Sequence, residues 1–163
     1  MSAELINVRA GIAIVLLGLF LNVAMGISFG VNEDAYKDYV AEGIAAHPDV
    51  HDAKSQDKIW RYAQRTHFHA GGIAAFCLGL IILSMFSGLE ARWQKISAVL
   101  IGLGSFYPLA WLSMFFLAPS IGRGAAHDHV LTTAFTFVGV GGILLGSAVL
   151  LGNLYLGLFG RSA

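Results

Sequence analysis

Apolar positions along the chain are gathered into four long stretches that contain no Asp, Glu, Lys or Arg. They cover residues 10–32, 66–89, 96–122 and 129–160, with lengths of 23, 24, 27 and 32 residues. Each is longer than the roughly 20 apolar residues that cross a hydrocarbon core about 30 Å thick. Because backbone groups in lipid must bond within their own segment, each stretch is predicted to be an α-helix. The sequence therefore predicts an all-α, integral membrane bundle of four transmembrane helices, with residues 1–163 as a single domain.

The extramembrane part of the chain is predicted to be residues 32–65. The transmembrane helices are predicted near residues 10–31, 66–88, 96–118 and 129–153. Aromatic residues at helical spacing, such as Tyr36, Tyr39 and Trp60, indicate short helices between the first two spans. Such helices lie on the membrane surface with aromatic anchors. Pro48 is expected to separate two of them, because proline interrupts a helix.

The membrane orientation follows from the charges at the helix ends. Four helices place both termini and the 87–95 connection on one side. That side carries four basic and two acidic residues: Arg9, Arg92, Lys95, Arg161, Glu4 and Glu90. Basic residues in short loops favour the cytoplasm. We therefore predict a multi-pass protein of the cell (inner) membrane with its N and C termini inside.

Composition narrows the class of protein further. The chain is 56% hydrophobic and 12% charged, against a charged share of about 25% in soluble domains. The net charge is zero and the sequence shows no basic cluster, so nucleic-acid binding is not expected. Cys77 is the single cysteine and is interpreted as a small apolar filler. The numerous glycines favour close helix packing, within one bundle or between subunits. Pro108 is expected to kink the third helix near Gly104.

Histidines provide the strongest chemical signal. His67 and His69 open the second predicted helix, and His127 and His129 open the fourth. The topology places both pairs on one side of the membrane at similar depth, which is typical of a metal or haem site in a helix bundle. Residues two apart on an α-helix point about 200° apart, so His67 and His69 are not expected to bind the same ion. Hydrogen-bonded histidines at the interface without a cofactor remain an alternative.

Two kinds of cofactor fit these histidines. A copper or zinc site would draw three or four ligands from both clusters. A haem needs one or two axial imidazoles and an apolar slot, which Phe115 and Phe116 are expected to help form. Arg65 and Arg123 stand beside the clusters, and their guanidinium groups suit haem propionates. The alternative for both arginines is that they reach lipid headgroups.

At two places the chain resembles the styrene oxide isomerase family, whose members are four-helix membrane proteins of similar length. One is Trp60 followed by Arg65-Thr-His67 at the start of the second helix. The other lies after the third helix and consists of Phe115, Phe116, Pro119, Arg123 and Gly124. The order of helices, long segment and tight turn is also similar over nearly the whole chain.

The resemblance implies a specific chemistry. Members of that family are haem b proteins that assemble as homotrimers, with the histidine of an Arg-x-His motif as the axial ligand. Here that ligand, and the metal-binding residue, would be His67. The ferric iron acts as a Lewis acid on the oxygen of an epoxide, the ring opens, a hydride migrates and an aldehyde forms without net redox change. A small apolar substrate would enter from the bilayer.

The chain departs from the family at the positions that carry polar pocket residues. Ile73, Gly104 and Leu112 stand there. Tyr107 and Ser105 are the candidate catalytic substitutes, each about one turn away. A second axial ligand from His127 or His129 would close the open coordination site. It would then indicate a bis-histidine cytochrome for electron transfer.

Overall fold

The computed structural model describes residues 2–160, and over that range the protein is all-α. The helices are α1 (Ala3–Ala46), α2 (Ser55–Met85), α3 (Ala91–Leu103), α4 (Tyr107–Asp128) and α5 (Val130–Leu156). α3 and α4 follow one another through the 3-10 turn Gly104–Phe106 and form one span. The described residues thus contain four helices that are long and apolar enough to cross a membrane. The predicted all-α bundle of four spans is confirmed.

The spans pack as a triangle with one helix added outside it. α1, α2 and the third span contact one another pairwise, whereas α5 packs mainly on the third span. The central core is apolar and contains Val8, Val15, Ala74, Cys77, Ile81, Ala98 and Ile101. Glycines bring these helices together: a Cβ on Gly102 would lie 2.8 Å from the Gly11 carbonyl oxygen, and one on Gly146 would lie 2.7 Å from Ile101 Cγ1. These glycines therefore serve close packing within the bundle.

The helices of the first two spans extend beyond the uncharged stretches. α1 runs to Ala46 and bends at Asn32, whose backbone is non-helical and whose side chain accepts a hydrogen bond from Ala35 N (3.1 Å). Beyond a 3-10 turn at Pro48–Val50, α2 starts at Ser55 and continues without interruption to Met85, through most of the uncharged stretch 66–89. Most of the predicted 32–65 segment is therefore helical. It consists of the continuations of α1 and α2, which are separated near Pro48.

The third span is interrupted where the sequence predicts it. The Gly104–Phe106 turn precedes Pro108, which sits in the first turn of α4, where its missing N–H leaves no bond unmade. A second irregularity lies at Gly122, with φ of 79° and ψ of 161°. Such backbone angles are reached almost only by glycine. The irregularity expected near Gly104 and Pro108 is present as this 3-10 turn.

The two ends of the bundle are formed by different segments and are held by different hydrogen bonds. At one end Asn7 donates to Gln94 (2.8 Å), and Glu90 N donates to the Phe159 carbonyl (3.0 Å). Arg161, used in the orientation argument, lies outside the described residues. The other end carries the predicted extramembrane segment and is called the extramembrane end. Here the α1–α2 connection packs against α4, and His51 Nε2 donates to the Pro119 carbonyl (3.0 Å). Both histidine pairs lie toward this second end.

Candidate functional site

His67 is held against α1 in a defined orientation. Its Nδ1 lies 3.0 Å from the carbonyl oxygen of Asn22. A carbonyl only accepts, so Nδ1 carries the hydrogen and Nε2 keeps its lone pair. The ring rests on Gly26, where an added Cβ would lie 3.1 Å from His67 Cε1. The half-buried imidazole is therefore fixed with Nε2 as the nitrogen able to bind a metal.

An aromatic cluster continues from His67 toward the extramembrane end. The ring of Phe29 lies 5.8 Å from that of His67, 5.3 Å from that of Trp60 and 4.9 Å from that of Tyr36. Tyr36 in turn contacts the buried Phe115 (5.8 Å). Three residues from the two resembling segments, Trp60, His67 and Phe115, thus meet through side chains of α1. Phe116 lies at the exposed rim of this cluster, 5.1 Å from Phe115.

His69 points to the other side of α2. Its Nδ1 donates to the Arg65 carbonyl of the preceding turn (2.8 Å). Its ring contacts Tyr107 (5.5 Å) and Trp111 (5.7 Å) on α4. Arg65 stacks over Trp111 at 4.6 Å, so it too lies on this side. The structure therefore separates His67 from Arg65 and His69, as the 200° rule predicts for the histidines.

A cavity of about 380 Å³ opens between α4 and α5 beside this second face. Its lining residues are Tyr107, Ala110, Trp111, Met114, His127, Thr132, Thr133, Thr136 and Phe137. The indole Nε1 of Trp111 is buried and has no hydrogen-bond partner in the described chain. A buried unpartnered donor costs free energy, so a bound molecule with an acceptor atom would be favoured there. His127 lines this cavity, and His69 lies beside it because its ring contacts two lining residues, Tyr107 and Trp111.

A second, smaller cavity at the extramembrane end is basic. It has a volume of about 280 Å³ and is lined by Lys58, Arg61, Tyr62, Arg65 and Arg123. The sequence analysis found no basic cluster, and the structure corrects this, because folding gathers four cations that are spread over two helices.

Asp52 faces one of these cations. Arg123 donates to its Oδ2 at 2.7 Å. The Lys54 backbone N–H at 2.9 Å, then the Ser55 hydroxyl and Arg123, lower the pKa of Asp52 below its ordinary 3.8. The carboxylate is therefore charged at neutral pH and holds Arg123 in place.

The remaining predicted residues are scattered. His127 is exposed and its Nδ1 lies 2.7 Å from Oδ1 of its neighbour Asp128. His129 caps α5, since its Nδ1 accepts from Leu131 N (3.2 Å). Ser105 is buried with an unpartnered hydroxyl and lines a cavity of about 180 Å³ against α1. Ser105 therefore faces α1, whereas Tyr107 lines the cavity between α4 and α5, so the two candidate catalytic residues do not share a cavity.

Lys58, Arg61 and Trp111 were not predicted as site residues. Lys58 and Arg61 precede the predicted Arg65 by seven and four residues, which places all three on one face of a helix. That periodicity was the available signal. Trp111 follows Tyr107 by four residues and could have been found in the same way. Both signals become specific only once α4 is known to pack on α2.

The described residues show no group of three or more His, Cys, Asp or Glu side chains arranged to hold a metal ion. No family model, no curated protein and no solved structure matches the chain significantly.

Proposed function

We propose that this chain is a membrane haem b protein in which His67 Nε2 is the axial ligand, and that it isomerises a small apolar epoxide to an aldehyde. One observation carries the proposal: the hydrogen bond from His67 Nδ1 to the Asn22 carbonyl. Metal-binding histidines usually donate their second ring nitrogen to such an acceptor, which fixes the tautomer and raises the basicity of the other nitrogen.

The surroundings of His67 fit this role. Gly26 leaves room for the ring, and Phe29 and Trp60 give the site an apolar wall. An apolar wall excludes water and suits both a porphyrin and an apolar substrate. Arg65 lies on the other face of α2, and Arg123 approaches that face from α4. We therefore do not assign them to the propionates of a haem on the same chain's His67.

His67 would hold a ferric haem, which when bound would supply a Lewis acid for the epoxide oxygen. The rearrangement is internal to the substrate: one C–O bond breaks, a hydride moves to the adjacent carbon, and the carbonyl forms without loss of atoms or electrons. The apolar cluster around Phe29 would exclude water from the substrate during this rearrangement. The proposed context is a homotrimer in the cell membrane with both termini inside, with substrate drawn from the bilayer.

Absorption spectra of the detergent-purified chain, oxidised and reduced, test the haem assignment. We expect a Soret band in wild type, its loss in His67→Gly, and its partial return when imidazole is added to that variant. His69→Ala is the matched control and is expected to keep the band. A band retained in His67→Gly but lost in His69→Ala would overturn the ligand assignment.

Activity and spin state separate the remaining alternatives. The haem-loaded protein is expected to be high-spin and to convert styrene oxide to an aldehyde. A low-spin, six-coordinate spectrum without conversion would indicate a bis-histidine cytochrome instead. Stoichiometric copper or zinc without iron, measured by elemental analysis, would indicate a non-haem metal site and refute the proposal.

A further inference from the structure

The basic cavity at the extramembrane end concentrates positive charge. Four cationic side chains line it. Of these four, only Arg123 forms an ion pair within the described residues, with Asp52, and the same carboxylate interacts electrostatically with Lys58. Four cations against the one carboxylate leave three positive charges in excess. These side chains repel one another, and a bound anion would relieve the repulsion. Tyr62 adds a hydroxyl to the same lining. The cavity therefore has the chemistry of an anion site.

The cavity is shaped before any anion arrives. Lys58, Arg61 and Arg65 occupy one face of the uninterrupted helix α2. Arg65 is stacked on Trp111, and Arg123 is fixed from α4 by Asp52. Side chains already held in place lose less entropy on binding a ligand. Guanidinium groups bind phosphate oxygens in a bidentate manner, which favours a phosphate group as the ligand.

The depth of the cavity indicates where that phosphate comes from. Arg65 immediately precedes the uncharged stretch 66–89, and Lys58 lies seven residues earlier. At 1.5 Å per residue this separation is about 10 Å along the helix. It starts at the predicted edge of the hydrocarbon core and reaches a few Å beyond a headgroup layer of roughly 6 Å. We therefore expect Arg61 and Arg65 to lie at the level of lipid phosphates, with Lys58 just beyond them.

We propose that this cavity binds the phosphate group of an anionic phospholipid, held by Lys58, Arg61, Arg65 and Arg123. Basic pockets between transmembrane helices recognise anionic headgroups in this way. The site does not use His67 and requires no haem, so it goes beyond the proposed function and stands independently of it.

Thermal unfolding of the full chain in a non-ionic detergent tests the site at constant ionic strength. The probes are dihexanoyl phosphatidylglycerol, dihexanoyl phosphatidylcholine and inorganic phosphate. We expect phosphatidylglycerol to raise Tm by about 3 °C or more, with no rise from phosphatidylcholine. The double variant Lys58→Gln/Arg61→Gln is expected to lose most of this shift. The matched control Lys54→Gln/Arg92→Gln removes the same charges away from the cavity and is expected to keep it.

The outcomes distinguish the sources of phosphate. A rise with phosphatidylglycerol alone supports a lipid site, and an equal rise with inorganic phosphate supports the anion site but assigns it to a free phosphate compound. No rise with either probe, or a rise undiminished in Lys58→Gln/Arg61→Gln, would overturn the proposal. Mass spectrometry of co-purified lipid gives a second readout, in which this double variant should retain less anionic lipid than the control.

Discussion

The imidazole of His67 lies directly on Gly26, so that a Cβ at that glycine would stand 3.1 Å from His67 Cε1. The same ring donates to Asn22, one turn earlier on α1. The orientation of His67 therefore depends on a helix other than its own. This dependence gives a way to move the imidazole without changing it.

Gly26→Val is expected to displace His67 and, if His67 binds haem as proposed, to weaken haem binding. Overpacking of this kind costs about 1–3 kcal/mol, and about 1.4 kcal/mol is a tenfold loss of affinity. Haem titration followed at the Soret band measures the effect. Gly30→Val is the control, because a Cβ at Gly30 meets no atom within 4 Å. Equal haem affinity in both variants would show that the contact with Gly26 does not position the ligand.

Gly122→Ala is expected to destabilise the protein by about 1–3 kcal/mol, because alanine is strained at φ 79° and ψ 161°. An added Cβ would also lie 3.0 Å from the Val50 carbonyl oxygen, which connects this bend to the α1–α2 turn. Thermal or denaturant unfolding in detergent measures the change. Gly124→Ala, where a Cβ meets open space, should stay within about 0.5 kcal/mol of wild type.

Asp52→Asn is expected to lower Tm at neutral pH, since the amide no longer binds Arg123 as an ion pair. The folded-state pKa of Asp52 lies below 3.8, so its carboxylate stabilises the fold above that pH. The stabilisation is lost as pH falls through the folded-state pKa. The Tm difference between wild type and variant should therefore be constant from about pH 7 to 5 and shrink below about pH 4. A difference that persists in acid would mean that the charge of Asp52 is not responsible.

Trp111→Phe is expected to change the free energy of unfolding by less than about 1 kcal/mol. The substitution removes an indole N–H that is buried without a partner, and the phenyl ring still faces Arg65. Trp111→Ala removes the packing as well and should cost about 3 kcal/mol. If the two variants lose equal stability, the indole N–H has a bound partner in the native protein.

The spans were predictable because charge is excluded from lipid, and the absence of Asp, Glu, Lys and Arg marks each crossing. The bend near Pro108 was predictable for an equally local reason, the missing N–H of proline. The helix ends were not predictable, since α1 and α2 continue as helices through charged sequence, where hydropathy carries no signal. Val40 and Ile59 stabilise these extensions by packing in a separate small core.

The candidate site was predictable only in part. Helical geometry alone separates His67 from His69, and the structure has that separation. The partners on each side could not be predicted, because they come from other helices: Asn22 and Phe29 on α1 for His67, Tyr107 and Trp111 on α4 for His69. Arg123 joins Arg65 for the same reason, since only the packing of α4 on α2 brings them together.

The continuity of α2 from Ser55 to Met85 has a consequence for how its two faces can change. In a continuous helix, an inserted residue rotates all the residues that follow it. One residue inserted between Arg61 and Arg65 would rotate the rest of α2 by about 100° relative to its first turns. His67 would leave the groove on α1, while Lys58 and Arg61 kept their places. The spacing of these residues along the uninterrupted helix, as much as their identity, thus keeps His67 on the face of α2 opposite to its three cations.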